Sequence, residues 1–267
     1  MYRARDTRNM RRCRLGFCLA TCTLTLIGIA RGQDAVAQRH ALDPRITRDS
    51  GGWLETHTAS GHIDTGNPFF HALGSNGRSC NSCHRQSQGW TLSAAQVRRR
   101  FALSGGTDPL FRRVDGANSP LADVSSVAAR RVAYSMLLKY AVLRIGIPMP
   151  ADAEFTLSAV DDPYGYASAA ELSLFRRPLP ATNLIWDTAV MWDGRETLAP
   201  FQPPMDAGIN REDINAHLAS QARNAILRPA QAAPQPSDEV LRHTATFDMS
   251  LATPGAVHAH PAGRHAR

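Results

Sequence analysis

The chain has 267 residues, is 43% hydrophobic and 20% charged, and carries a formal net charge of +7. That length suits one large domain or two small ones. The basic balance does not support a nucleic-acid partner. Seven of the 30 basic and two of the 23 acidic residues fall within 1–37, leaving 23 basic against 21 acidic side chains, a net of +2.

The N-terminal stretch reads as a secretory signal peptide. Arg3, Arg5, Arg8, Arg11, Arg12 and Arg14 precede an apolar and small run from Leu15 to Ala30, and Ala35-Val36-Ala37 offers a cleavage site. The apolar run is short for a lipid span and no second span follows. The expected product is therefore periplasmic or otherwise exported, without stable membrane insertion after cleavage; an uncleaved tether is the rival. Removal of residues 1–37 takes Cys13, Cys18 and Cys22 with it, so only Cys80 and Cys83 remain.

Residues 38–79 are rich in Gly, His, Asn and Thr and read as a loop-dominated lead-in. Cys80-Asn81-Ser82-Cys83-His84 follows, and is expected to begin a short helix. Two thiols three positions apart can each add to a haem vinyl group, and the next histidine can then ligate the iron, which is the c-type attachment pattern. Three other readings stay open: a small disulfide in an exported protein, a thiol–disulfide redox pair without its βαβ surroundings, and a zinc site without a second Cys pair.

Further helices are expected in order. Ser93 can cap one over Ala94 to Leu103, with Gln96 at the reciprocal position and Gly105-Gly106 beyond. Gly116 to Pro120 is turn-like. A long helix is expected from Val124 to Ile145, capped by Asp123, with Val124, Val127, Ala128, Val132, Met136, Tyr140 and Leu143 on its apolar face. A short one is expected from Ala169 to Phe175, with Ser168 and Glu171 as a capping box. Another is expected from Arg211 to Leu227, capped by Asn210, with Ile214, Leu218, Ala222, Ala225 and Ile226 on one face; Pro229 ends it. Residues 229–237 read as a linker and the tail from Thr253 as unpatterned. No alternating series suggests a sheet.

Within the haem reading, His84 is the proximal iron ligand. Met149, between Pro148 and Pro150 in a rigid loop, or His71 upstream, is the candidate on the other face, unless that face is open. Met136 reads as packing. Met191-Trp192-Asp193-Gly194-Arg195-Glu196 forms a second informative run. Trp192 can relay an electron or simply fill a wall. Arg195 can pair with a propionate or with Asp193, which can also accept turn amides. Arg176 and Arg177 offer the same propionate contact, or are two surface arginines.

With both runs in view, the chain resembles the bacterial di-haem cytochrome c peroxidase family, which includes the MauG-like proteins. The matching pieces are Gly77 to His84 and Trp192-Asp193-Gly194-Arg195, with Gln221 in its helix resembling the segment that follows. The resemblance implies a periplasmic all-α protein with c-type haem domains, a tryptophan relay at Trp192 and, between domains, calcium. Three departures stand out: no second Cys-x-x-Cys-His follows Trp192, the interval from His84 to Trp192 is long, and no histidine closely follows His84. They suggest a truncated product or a mono-haem relative.

The expected fold is thus all-α, a c-type cytochrome fold with long ordered loops. The division is a signal peptide at 1–37, a haem domain with a family-specific insertion at 38–228, and a linker and poorly ordered tail at 229–267. The expected function is electron transfer by one covalent haem c. The alternatives are a peroxidase-like oxidoreductase acting on hydrogen peroxide, and a haem sensor. Partners would be a small redox protein or a second haem domain, with no nucleic acid.

Overall fold

The computed structural model of the chain describes residues 46–49, 52–198 and 211–253. The signal segment, the Asn210 cap and residues 254–267 lie outside the described residues.

Local capping chemistry sets helix α1, Ala94–Ser104. Ser93 is extended and its hydroxyl accepts from the Gln96 amide, while Gly105 closes the other end in the left-handed region at φ 58°. Val97 and Phe101 are buried on the face turned to the core. This helix forms as its sequence indicates.

The expected helix over 124–145 is corrected to two short helices and a strand. Ser126, not Asp123, caps α2, Val127–Ala133. Helix α3 follows as Ser135–Tyr140, and Ala141 at φ 56° turns the chain into β4, Leu143–Ile147. The break has an identifiable cause. In a continuous helix the Val132 carbonyl would accept from the Met136 amide. Asn118 takes both: its Nδ2 donates to the Val132 carbonyl at 3.2 Å and its Oδ1 accepts from the Met136 amide at 3.2 Å. Its Nδ2 also donates to Ser135 Oγ at 2.7 Å, and its own amide donates to the Ala133 carbonyl at 2.7 Å. The expected apolar face is rotated in consequence: Val127, Val132 and Tyr140 are exposed, while Ala133, Tyr134, Leu137 and Leu138 are buried.

The expected helix over 169–175 is corrected to strand β5, Leu172–Arg176. It pairs antiparallel with β4 from Leu143 opposite Arg176 to Ile147 opposite Leu172. Glu171 does not serve a helix cap. Its carboxylate instead accepts from both terminal nitrogens of the buried Arg144 on β4, each at 3.0 Å. A partner strand and a buried cation outweigh a local capping pattern.

Two further antiparallel pairs complete the sheets. Strand β1 (Ile46–Asp49) pairs with β2 (Gly52–Glu55), and β3 (His57–Thr58) pairs with β6 (Leu251–Ala252). Helix α4, Arg211–Leu227, buries Ile214, Leu218, Ala222 and Ile226 as its periodicity indicates. It packs on α5, Asp238–Ser250, a helix that occupies part of the stretch read as linker and tail. Ser237 caps α5, and Leu241, Thr244, Ala245, Phe247 and Asp248 are buried along it.

The architecture is mixed, with five α-helices and three two-stranded sheets among the described residues. The all-α c-type cytochrome fold is therefore corrected. One core joins α1, α3 and residues 110–117; Phe69, Trp90 and Phe247 form a second with Ala181 and Leu251, and α4 and α5 hold the rest. Among the described residues no helix is long and apolar enough to cross a membrane.

Asn118→Ala removes the side chain that holds the helix break and strands the Met136 amide. The variant should lose about 2 kcal/mol in urea denaturation, the scale of two or so partly buried hydrogen bonds. A change within experimental error would mean that the break has another cause.

Candidate functional site

The Cys80 segment is a single tight turn, Cys80–Ser82, whose carbonyl at Cys80 accepts from the amides of Cys83 at 3.1 Å and His84 at 2.9 Å. Ser79 and Ser82 lock its start, the Ser79 amide donating to Ser82 Oγ at 3.0 Å. Arg100 of α1 donates to the Ser82 carbonyl at 2.6 Å and pairs with Asp108, which fixes the turn to the helix.

His84 is aimed by a backbone device. Gly89 and Trp90 both lie in the left-handed region, at φ 65° and 60°. That reversal brings the Trp90 carbonyl within 3.1 Å of His84 Nδ1 and 3.0 Å of the Ala181 amide. A carbonyl only accepts, so Nδ1 carries the proton. A non-glycine residue tolerates this backbone only where its surroundings hold it. Trp90 is fully buried, its Nε1 donates to Thr56 Oγ1 at 3.0 Å, and its ring meets Phe69, Phe70 and Phe247.

Cys80, Cys83 and His84 open onto a cavity of about 620 Å³. Each retains partial exposure because it faces that space. Leu54, Leu73, Leu143, Ile145, Val190 and Ile226 supply much of an apolar wall. Burial pushes both thiols up, Cys83 to about 11 and Cys80 further, with the Asp248 carboxyl adding to the shift at Cys80. Burial also lowers His84, although the carbonyls of Trp90 and Leu179 act in the opposite direction. At neutral pH the site thus holds two thiols and an uncharged imidazole.

Arg78 anchors this wall from inside. Its Nε donates to the Pro109 carbonyl at 2.9 Å and its Nη2 to Leu110 at 2.7 Å. Its Nη1 donates to Pro229 at 3.1 Å and pairs with Asp115 Oδ1 at 2.6 Å. Burial works against the Arg78 charge, but Asp115 together with Cys83 and Tyr134 holds the pKa above its usual value. Beside this hub Gly74 presses on the Ala230 carbonyl, where any Cβ would collide.

The mouth is cationic. Arg176, Arg177, Arg195 and Trp192 line it. Asp193 accepts from Arg176 Nη1 at 2.8 Å and Arg195 Nη1 at 2.9 Å. Burial alone would raise Asp193, but those two arginines hold its carboxyl below the usual range. Arg177 donates to the Tyr140 carbonyl at 3.1 Å, and Trp192 Nε1 to the Arg177 carbonyl at 3.1 Å. Asp187 also lines the cavity, its carboxyl pushed up by burial. Three arginines against two carboxylates leave an excess of positive charge.

Residues separated widely in sequence are thus brought together: Cys80, Cys83, His84, His71, Arg176, Arg177, Trp192, Arg195 and Gln221 all line one space, with Asp193 bridging two of its arginines. Met149 does not line it; its amide donates to the Ala169 carbonyl at 2.9 Å beyond the end of β4, and Met191 faces the cavity instead. Sequence reasoning missed Asp115 and Asp248, both buried on the wall. Reading 238–250 as a helix would have found Asp248, which follows Leu241 and Thr244 at helical spacing on the buried side.

No family model, no curated protein and no solved structure matches the chain. The resemblance to di-haem peroxidases is corrected on that finding and on the mixed architecture, which is not the helical fold of that family. Covalent haem c, electron transfer, peroxidase activity and haem sensing were carried by that resemblance and its motif, and are corrected with it. Among the described residues no group of three or more His, Cys, Asp or Glu side chains is placed to hold a metal ion, which corrects the iron and calcium readings as well.

Removing Arg78 alone should be severe. Arg78→Met leaves Asp115 buried and unpaired and should cost about 3–5 kcal/mol; adding Asp115→Asn should restore part of it. Urea denaturation of single and double variants measures this, and additive losses would contradict the pairing.

His84 gives a pH signature. Its folded pKa is lowered, so the unfolded chain takes up a proton first. Its contribution is present above about pH 6.5, the unfolded value, and is lost as pH falls from there through the folded pKa. Stability followed between pH 7 and 5 should decline less steeply in His84→Gln; parallel curves would show that the imidazole is not buried neutral.

Proposed function

We propose that the chain is a binding module for an amphipathic small molecule, one with an extended apolar body and an acidic group. The observation that carries this reading is the 620 Å³ cavity, apolar along its walls and rimmed by Arg176, Arg177 and Arg195. That volume falls in the range of sites for drug-sized ligands, where apolar walls supply affinity and a few polar groups fix orientation. A carboxylate or sulfonate suits the rim, because a guanidinium presents two parallel donors to it.

Thiol–disulfide catalysis is the weaker reading of the same residues. A catalytic thiol needs a lowered pKa in electropositive surroundings. With Cys83 pushed up to about 11 and Cys80 beyond it, both stay protonated at neutral pH. The pair serves the binding reading as small apolar wall. The basic and then apolar start of the chain supports work outside the cytoplasm.

Two fluorescent probes test this on the purified full chain: 8-anilinonaphthalene-1-sulfonate, which is anionic, and N-phenyl-1-naphthylamine, which is neutral. Both should bind at micromolar concentrations and both should be lost in Ala225→Trp, which fills the cavity. Arg176→Ala combined with Arg195→Ala should weaken the anionic probe about tenfold, the scale of one charged hydrogen bond, and spare the neutral one. Absence of binding by either probe, or equal effects on both, would overturn the reading.

A further inference from the structure

Two carboxyl groups on the cavity wall, Asp115 and Asp248, carry buried oxygens without a hydrogen-bond partner among the described residues. Asp248 lies on α5, retains 5% exposure, and lines the cavity. Its Oδ1 is wholly buried and has no hydrogen-bond partner among the described residues. Thr244, one turn earlier and also on the wall, is already committed, its hydroxyl donating to the Val240 carbonyl at 2.9 Å. Buried polar atoms in folded proteins almost always have a partner, and leaving one without costs about 1–3 kcal/mol. Asp115 is matched in charge by its ion pair with Arg78 at 2.6 Å, whereas burial acts on Asp248 with no cation beside it.

We infer that Asp248 is a specificity-determining residue of this cavity, recognising a hydroxyl group on the apolar body of the bound acid; this rests on the binding reading above. The choice of hydroxyl follows from the state of the carboxyl. Burial raises Asp248 well above the usual carboxylate range and so favours the neutral acid, which has one donor and one acceptor. A hydroxyl complements both. An ammonium would need the ionised form, which burial disfavours. The acidic group of the ligand belongs at the arginine rim, where its charge is matched. Cys80, whose thiol feels the Asp248 carboxyl, lies beside this position and offers only a weak donor.

Two steroid acids with the same ring body and carboxylate separate the possibilities. Cholate carries three hydroxyls and 5β-cholanate none. Calorimetric titration of the full chain should give a cholate-to-cholanate affinity ratio that falls about tenfold in Asp248→Leu and is largely kept in Asp248→Asn, whose amide retains a donor and an acceptor. Ligand-free Asp248→Leu should also melt higher than the parent, because it removes an unpartnered buried polar group. If both acids bind and the ratio is the same in the parent and Asp248→Leu, the role of Asp248 is overturned while the binding reading stands. If neither acid binds and the naphthalene probes also fail, both fall. A lower melting temperature for Asp248→Leu would overturn the inference independently, because it would show that the carboxyl has a protein partner.

Discussion

The structure depends most on the buried Arg78. One guanidinium reaches the carbonyls of Pro109, Leu110 and Pro229 and the carboxylate of Asp115. Those contacts join the cysteine turn, the segment that follows α1, and the loop that follows α4. The Asp115 carbonyl then accepts from the Arg144 amide of β4 at 2.7 Å, so the sheet is tied to the same point. A cation removed from water is costly, and it persists only where every donor finds an acceptor. Arg78 finds an acceptor at each of its three nitrogens, and so it fixes where each of these segments must lie.

A cavity survives at this junction because its walls are held from outside the space they enclose. The Trp90 aromatic cluster backs His84, α1 clamps the turn through Arg100, and α5 supports α4. None of those contacts needs the cavity to be filled. The arginine rim comes from β5 and the turn after Met191, which Asp193 staples together. Charge is thereby concentrated where the apolar wall ends, and the site acquires a direction.

Much of the site was legible residue by residue, and the fold less so. The Ser93 cap and Gly105 stop specify α1 within a dozen residues, and the spacing of Ile214, Leu218, Ala222 and Ile226 specifies α4. Both signals are local and nothing distant competes with them. The stretch from 124 to 145 fails because its decisive partner, Asn118, lies outside the helix and intercepts the Val132–Met136 bond. The capping pattern at Ser168 and Glu171 fails for a similar reason: Arg144 claims the carboxylate, and β4 offers a ladder. The Cys80 to His84 run, Arg176, Arg177, Trp192 and Arg195 were each visible as chemistry, but the haem and family attached to them were not sustained. A five-residue motif specifies a local geometry, and the surrounding architecture decides what that geometry serves.

Arg78 and Asp248 stand at two extremes of the same problem. Both are ionisable groups buried on one wall, yet one donates from each of its three nitrogens and the other lacks a partner at Oδ1 among the described residues. The first stabilises the scaffold, because three backbone carbonyls accept from it and a carboxylate is matched to its charge. The second lowers the stability of the empty protein, since an apolar residue of that size would pack there without penalty. Folded proteins accept such a deficit where function requires it. Within this cavity, then, the group that contributes least to holding the chain together is the one whose chemistry says most about what the chain would bind.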